Sequence, residues 1–178
     1  MQFDGQITKD TLRQIRDNLP NVSQNQQIYD SITNMLAKKT IQPVPYSYTA
    51  NFAVSGAASA LAAGATLTVN INIQADADFL ILNQTYDVNS NNSAKTASNV
   101  NIPNIGILMT DTGSGYQMMD AAVPVAEIFG NGQFPYVLPN PKLLPAKATL
   151  QIIANNFEQA QAYNLRLAFN GVKLYSFN

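Results

Sequence analysis

The sequence predicts a mainly β protein, an antiparallel β-sandwich preceded by a short two-helix N-terminal arm. From Tyr46 onward apolar residues alternate with polar ones, which is the period of strands. Four prolines between Phe134 and Pro145 exclude a helix or a central strand there. A helical period occurs only before residue 40. We therefore divide the 178 residues into an arm and linker, 1–42, and a β-sandwich domain, 43–178.

The arm contains two short amphipathic helices. Thr8 to Leu19 places Leu12 and Ile15 at helical spacing and ends at Pro20, and a second helix begins at the Ser-x-x-Gln capping pattern of Ser23–Gln26. Its apolar face carries Ile28, Ile32, Met35 and Leu36. Helices this short need a docking surface. They pack either on the chain's own β-domain or, as an arm, on a neighbouring subunit.

A stiff linker, Gln42–Pro45, is expected to lead into the sandwich. The predicted strands are Tyr46–Phe52, Thr66–Ile73, Asp78–Leu82, Ile105–Thr110, Tyr116–Ala121, Leu150–Ala154, and a final hairpin of Asn164–Phe169 and Val172–Phe177 turning at Asn170–Gly171. In Thr66–Ile73 the alternation places Leu67, Val69, Ile71 and Ile73 on the core face. The Asn- and Ser-rich tract Asn89–Asn101 is expected to be a long mobile loop.

Two stretches resemble each other. Residues 61–69 align with residues 144–152 and share Leu, Ala, Ala, Thr and Leu at matching places, and in both a tight turn feeds an alternating strand. Equivalent strands in two halves are typical of a jelly roll built from two Greek keys. The predicted fold is therefore a jelly-roll-like sandwich.

Composition excludes several functions. The chain has 10 basic and 11 acidic residues, and only 12% of it is charged, so it lacks the basic surface that nucleic acid binding requires. Such a surface repels other copies weakly, which suits packing against neighbours. Without His or Cys, zinc sites built on those residues, Ser-His-Asp triads and haem ligation by His are excluded, and we expect no cofactor.

We also expect a soluble, unprocessed chain. The N-terminus has neither the basic nor the apolar region of a signal peptide. No apolar run approaches the roughly 20 residues of a membrane span, so no membrane contact is expected.

Three places could carry chemistry, and each has a structural interpretation that we favour. Asp111-Thr112-Gly113 follows a predicted strand and is similar to the active-site turn of aspartic proteases. Such an enzyme would have to be a homodimer, because the chain has one Asp-Thr-Gly. The alternative is that these residues form a simple turn between two strands. Asp76 and Asp78 could hold Ca²⁺ or Mg²⁺, or they are loop residues, and we expect no metal site. Six tyrosines with many amides are similar to a sugar-binding sandwich, or they are core and interface residues: Tyr46, Tyr48, Tyr86, Tyr116, Tyr136 and Tyr163.

The C-terminal two thirds of the chain resembles virion structural proteins of tailed bacteriophages. The resemblance covers roughly residues 64 to 178 and rests on four elements in order: Gly130-Asn131-Gly132-Gln133, the proline-rich Phe134–Pro141, the turn Leu144–Leu150 and the pattern Tyr163–Tyr175. It implies a β-sandwich building block without catalysis, located in the virion and assembled in the bacterial cytoplasm.

On this basis we expect a capsid decoration or cement protein, a homo-oligomer such as a trimer, that binds its own copies and the major capsid protein or other virion proteins. A head-to-tail connector or tail component is the nearest alternative, and a carbohydrate-binding sandwich is the alternative of another class. The residues expected at the interfaces are Leu12, Ile15, Ile28, Ile32, Met35, Phe134, Pro135, Tyr136 and Pro139.

Overall fold

A computed structural model describes residues 34, 41–52, 61–89 and 103–176. In these ranges the chain is mainly β, as predicted, and a helix of four residues, α1, spans Val125–Ile128. The strands are β1 (Ile41–Asn51), β2 (Thr66–Asn72), β3 (Asp78–Asn89), β4 (Ile105–Asp111), β5 (Tyr116–Gln117), β6 (Val123–Pro124), β7 (Tyr136–Leu144), β8 (Thr149–Asn156) and β9 (Asn164–Ser176).

The strands form two antiparallel sheets. The first has the order β1-β9-β3-β7, and the second has the order β2-β8-β4-β5, with β6 pairing with β4. Most strands that pair with each other are far apart in sequence. For example, β1 pairs with β9, from Ile41 opposite Ser176 to Asn51 opposite Arg166. Long-range pairing therefore holds the two ends of the β-domain together.

One hydrophobic core lies between the two sheets. The first sheet contributes Phe79 and Phe169, and the second contributes Ile107 and Ile152, all of them buried. Phe129, directly after α1, packs edge-on against Phe169 with the ring centroids 5.5 Å apart. The two inner faces thus pack against each other as in a β-sandwich.

The alternation in β2 is confirmed in part. Ile71 and Ile73 are buried as predicted, whereas Leu67 is exposed and Val69 is only partly buried. Because β2 is the edge strand of its sheet, it has a neighbouring strand, β8, on one side only. An edge strand covers its own inner-face residues less completely than a central strand does.

The predicted hairpin at Asn170–Gly171 is wrong, because both residues lie inside the continuous strand β9. A Cβ on Gly171 would be 1.9 Å from the backbone oxygen of Leu80, so a glycine is required for close approach of β3 and not for a turn. The register of β3 shifts between Ile81 and Asn83, directly opposite this contact. The Asn170 amide donates a hydrogen bond to Asn83 Oδ1 at 2.9 Å and so bridges the irregularity.

The segment Gln42–Pro45 is extended, as expected, but it is the first half of β1 and not a linker. Pro43 and Pro45 are two residues apart, so in a strand their missing N–H groups lie on the same side. β1 is an edge strand that pairs only with β9, so its other side forms no ladder hydrogen bonds. Proline is tolerated in an edge strand when its missing N–H group would lie on that unpaired side. The prolines therefore fit the edge that β1 occupies.

Other boundaries also differ from the prediction. β3 continues seven residues beyond Leu82 to Asn89, and β5 contains only Tyr116 and Gln117 of the expected Tyr116–Ala121. The rest of the Asn89–Asn101 loop and the two helices of the arm lie outside the described residues. Asn34 is the one residue of 1–40 that is described, and it is helical and exposed.

The two stretches that resemble each other in sequence have the same local structure. Gly64 and Lys147 occupy matching places, and both have a φ of 66°. In each turn the next residue donates a backbone hydrogen bond three residues back, Ala65 to the Ala62 oxygen at 3.1 Å and Ala148 to the Pro145 oxygen at 3.0 Å. Each turn then begins a strand, β2 or β8, and these two strands pair with each other.

Candidate interaction surface

Strand β7 forms the free edge of the first sheet and contains Pro139 and Pro141. It pairs with β3 near both of its ends, with Phe79 opposite Leu144 and Asn83 opposite Val137. Between these pairs the register shifts, so the prolines lie in a bulge where no ladder hydrogen bond is required. The prediction that this segment is not a central strand is confirmed.

Three large apolar side chains are exposed along this edge, and we call them the β7 surface: Phe134, Val137 and Leu143. Phe134 has 75% of its surface exposed and lies two residues before the strand. Exposed apolar residues scattered singly are normal, whereas several along one edge indicate a contact site. The β7 surface is therefore the candidate interaction surface.

The loop before β7 is held by several hydrogen bonds. The side-chain oxygen of Asn131 accepts hydrogen bonds from the backbone N–H groups of Gln133 at 3.0 Å and Phe134 at 2.7 Å. Gly130 hydrogen-bonds with the backbone of β3, and a Cβ there would be 2.0 Å from the Phe134 oxygen. Phe134 is thus presented to solvent by an ordered turn, which lowers the entropy cost of binding through it.

The two sheets meet beside this surface. Lys142 of β7 places its ammonium 4.5 Å from the ring centroid of Tyr116, which belongs to β5 in the second sheet. A cation over an aromatic ring is attracted by the electron-rich face. The contact links the free edge of one sheet to the free edge of the other and adds an exposed aromatic residue to the border of the β7 surface.

The predicted interface residues fall into two groups. Phe134, Pro135 and Pro139 are exposed and Tyr136 is half-buried, so this group lies on or beside the β7 surface. The second group lies outside the described residues and consists of Leu12, Ile15, Ile28, Ile32 and Met35. Val137 lies within the segment Phe134–Pro141 that the sequence indicated as an interface, although it was not singled out there, and sequence reasoning missed Leu143. Apolar and polar residues do not alternate along 136–144, so the pattern gave no signal for the side chains that face outward.

Asp111 is engaged in its own turn. Its carboxylate accepts hydrogen bonds from the Ser114 hydroxyl at 2.8 Å and from the Gly113 N–H at 3.1 Å. Burial opposes ionisation, but the hydrogen bonds from Ser114 and Gly113 outweigh it and hold the pKa of Asp111 below its ordinary value. The geometry is that of an Asx turn between β4 and β5, as the structural interpretation predicts.

Asp76 and Asp78 have different partners. Asp78 accepts a hydrogen bond from the Ala146 N–H at 2.8 Å, whereas Asp76 forms an ion pair of 3.2 Å with Lys173. Among the described residues no group of three or more acidic, His or Cys side chains is arranged to hold a metal ion. The two carboxylates tie loops to strands.

Lys173 is the most unusual buried group, with 1% of its surface exposed. Its ammonium lies 4.3 Å from the ring centroid of Tyr46 and also donates hydrogen bonds to Gln74 and Asp76. Burial alone would lower the pKa of Lys173, but the hydrogen bond to Asp76 and the nearby tyrosines raise it above its ordinary value. The amine stays charged and joins β9 to β1 and to the β2–β3 loop.

The six tyrosines do not form one site. Tyr48 and Tyr163 are buried in the core, while Tyr46 lies against Tyr48 with ring centroids 4.9 Å apart. Tyr116 borders the β7 surface. Burial raises the pKa of Tyr86, which lines a groove on the first sheet.

That groove has a volume of about 540 Å³, and its lining combines apolar surface with several polar side chains. It lies on the face of the first sheet that points away from the core, where β1, β9 and β3 place Thr49, Ala168 and Thr85 side by side. The next row consists of Asn51, Arg166 and Asp87. Hydroxyl, amide and charged groups in one groove are suited to a polar ligand.

Compared with known protein families, curated proteins and solved structures, the chain matches none of them. Within the described ranges, no helix has the length and apolar character needed to cross a membrane.

Proposed function

We propose that the fold is a jelly roll. The strands pair as nested antiparallel partners, β1 with β9, β2 with β8, β3 with β7 and β4 with β5 and β6. This is the pattern of one long hairpin of four strand pairs, and its wrapping into two sheets brings β9 beside β3 and β8 beside β4. The matching turns at Gly64 and Lys147 support two related halves. Viral capsid domains and lectins are built on jelly rolls.

We propose further that the protein is a non-enzymatic structural component of a tailed-phage virion, a capsid decoration or cement protein that binds its own copies and the major capsid protein. The observation that carries this proposal is the β7 surface, an exposed apolar edge on a chain with few charges. The sequence resemblance supplies the virion context. A head-to-tail connector or tail component would use the same kind of surface.

The β7 surface is suited to side-chain contacts and not to strand addition. Pro139 and Pro141 lack the N–H groups that a new strand would need, and the bulge interrupts the edge. Phe134, Val137 and Leu143 would instead enter apolar pockets of a partner, where aromatic and aliphatic anchors contribute most of the binding energy. Many copies on a lattice would add such contacts together.

The test compares two double variants of the full chain. Phe134→Ser with Val137→Ser removes the centre of the β7 surface, and the control, Leu67→Ser with Phe157→Ser, removes two exposed apolar residues elsewhere. Self-association is measured by mass photometry over a dilution series, and capsid binding by co-sedimentation with phage heads that lack the protein.

We expect the β7 variant to dissociate at concentrations where the wild type and the control form a defined oligomer, and to bind heads at least about tenfold more weakly. A wild-type chain that remains monomeric and does not bind heads would overturn the proposal. Equal losses in both double variants would show that the β7 surface is not the interface.

The second candidate function is carbohydrate binding, and the groove on the first sheet, with its hydroxyl, amide and charged side chains, favours it. Arg166, Asp87 and Thr85 offer the donors and acceptors that sugar hydroxyls require. A glycan array and titration with host polysaccharide would then show saturable binding that Arg166→Ala abolishes and Lys147→Ala, outside the groove, preserves. Binding unchanged by Arg166→Ala would exclude the groove as the site.

A further inference from the structure

Strand β2 forms one end of the second sheet and has a long, regular edge. Among the described strands it pairs only with β8, over seven consecutive residues without a register shift, from Thr66 opposite Asn155 to Asn72 opposite Thr149. None of these seven residues of β2 is charged and none is proline. An edge of this kind offers unpaired N–H and C=O groups to another strand.

The other outer strands of the two sheets carry features that block strand addition. β1 has Pro43 and Pro45 on its unpaired side. β7 contains Pro139 and Pro141, and its register shifts. β5 and β6 contain two residues each. Prolines, bulges and very short strands protect sheet edges, so β2 is the edge that lacks protection in the part of the chain that the structure describes.

Hydrogen bonds at the two ends of β2 show which of its backbone groups are free. The Asn156 N–H donates to the Ala65 oxygen at 2.9 Å. The Ile73 N–H donates to the Ala148 oxygen at 2.8 Å. Bonding groups alternate along an antiparallel strand, so odd-numbered residues from 65 to 73 point their N–H and C=O groups toward β8. The groups on the free side belong to four exposed residues, Thr66, Thr68, Asn70 and Asn72.

We propose that β2 pairs with β2 of a second copy of this chain, in antiparallel orientation, with Val69 on the two-fold axis. This register pairs all seven residues of the strand. It places Thr68 opposite Asn70 of the second copy, and Leu67 opposite Ile71 of the second copy. Residues directly opposite each other in an antiparallel pair lie on the same face, so apolar side chains meet on the core side and polar ones on the outer side. The second sheets of the two copies then form one continuous sheet.

The core side of β2 has apolar surface left for such a partner. Leu67 has 36% of its surface exposed and Val69 is partly exposed, although both belong to the alternation that faces the core. In the dimer, Ile71 of the second copy would cover Leu67, and the two Val69 side chains would cover each other. Removal of this apolar area from water favours the contact.

The outer side of β2 already shows the pairs that the dimer would repeat. The Thr66 hydroxyl donates a hydrogen bond to Asn155 Oδ1 at 2.7 Å, so a Thr–Asn pair joins β2 to β8. The Thr149 hydroxyl donates to Asn72 Oδ1 at 2.9 Å in a second such pair. Thr68 and Asn70 would form the same kind of pair twice across the two-fold axis.

The β2 contact does not rest on the virion role or on the β7 surface. β2 lies at one end of the second sheet, and β5, which borders the β7 surface, lies at the other. Two paired strands of seven residues make a smaller contact than the roughly 1,200–2,000 Å² of a stable interface, so the dimer is weak. It forms in concentrated solution or on a lattice of copies, and it dissociates at the dilutions used in mass photometry.

Disulfide trapping tests the register, because the chain contains no cysteine of its own. In Val69→Cys the two thiols would occupy a non-hydrogen-bonded pair with Cα atoms about 4.5 Å apart, within the range of a disulfide. In the control, Leu67→Cys, on the same side of the same strand, the two Cα atoms would be about 13 Å apart. The full chain is oxidised in concentrated solution, and non-reducing electrophoresis measures the covalent dimer.

We expect at least about tenfold more covalent dimer from Val69→Cys than from Leu67→Cys. The difference should persist when Phe134→Ser and Val137→Ser are added, so failure of the β7 surface as an interface and failure of the β2 contact are distinguishable. Equal yields from the two cysteine variants, or no covalent dimer from either, would overturn the proposed pairing. Loss of the Val69→Cys dimer on adding the β7 substitutions would overturn its independence from the β7 surface.

Charge substitution on the outer side of β2 gives a readout without cysteine. Thr68→Lys with Asn70→Lys places like charges opposite each other twice across the two-fold axis, which weakens the dimer. Thr68→Lys with Asn70→Glu changes the same positions but places Lys opposite Glu. Sedimentation velocity in concentrated solution should show at least about tenfold stronger association for the Lys–Glu variant than for the Lys–Lys variant. Equal association of the two variants would contradict the register.

Discussion

Gly171 is a position at which a single added methyl group should destabilise the fold strongly. The Cβ of Gly171→Ala would be 1.9 Å from the Leu80 oxygen, 2.9 Å from the Leu80 carbonyl carbon and 3.1 Å from the Ile81 Cα. An ordinary contact between carbon and oxygen is about 3.4 Å, so the backbones of β3 and β9 would have to separate by about 1.5 Å. All three atoms are backbone, and no side-chain rotation relieves the contact.

Overpacking costs about 1–3 kcal/mol when side chains can adjust, and we expect about 3–4 kcal/mol here. With a urea slope of about 2 kcal/mol/M, the unfolding midpoint falls by about 1.5–2 M. The control is Gly132→Ala, whose Cβ meets nothing within 4 Å and which should change stability by less than about 0.5 kcal/mol. Equal midpoints for the two variants would refute the close approach of β3 and β9.

Two further predictions concern buried polar groups. The folded-state pKa of Asp111 lies below its ordinary value of 3.8, so its carboxylate stabilises the fold above that pH, and this stability is lost as the pH falls through the folded value. Urea midpoints of Asp111→Asn should therefore depend less on pH below about pH 4 than those of the wild type, and parallel curves would contradict this. Asn156 is buried and its amide donates to the backbone oxygens of Leu61, Ala62 and Gln161, so Asn156→Ala should lower the free energy of unfolding by about 2–3 kcal/mol. Thermal unfolding checks this beside Asn155→Ala, which removes a surface hydrogen bond with Thr66 and should cost less than about 1 kcal/mol, and equal losses would refute it.

The sequence by itself determined the mainly β class, the positions of β4 and β8 and the exclusion of a central strand at the prolines of β7. These features are local. Alternation, proline content and the matching turns before β2 and β8 express backbone preferences within about ten residues. The same local information explains why Asp111 was correctly interpreted as a turn residue, since its two partners are two and three residues away.

Only the tertiary structure decided the features that depend on partners distant in sequence. Asn170–Gly171 is locally a turn signal, but the approach of Leu80, about ninety residues earlier, keeps it in a strand. Pro43 and Pro45 indicate a linker until pairing with β9 makes them the free edge of a sheet. The burial of Lys173 and the exposure of Val137 and Leu143 likewise follow from sheet order. Local preference is a weak free-energy term, and pairing across more than a hundred residues overrides it.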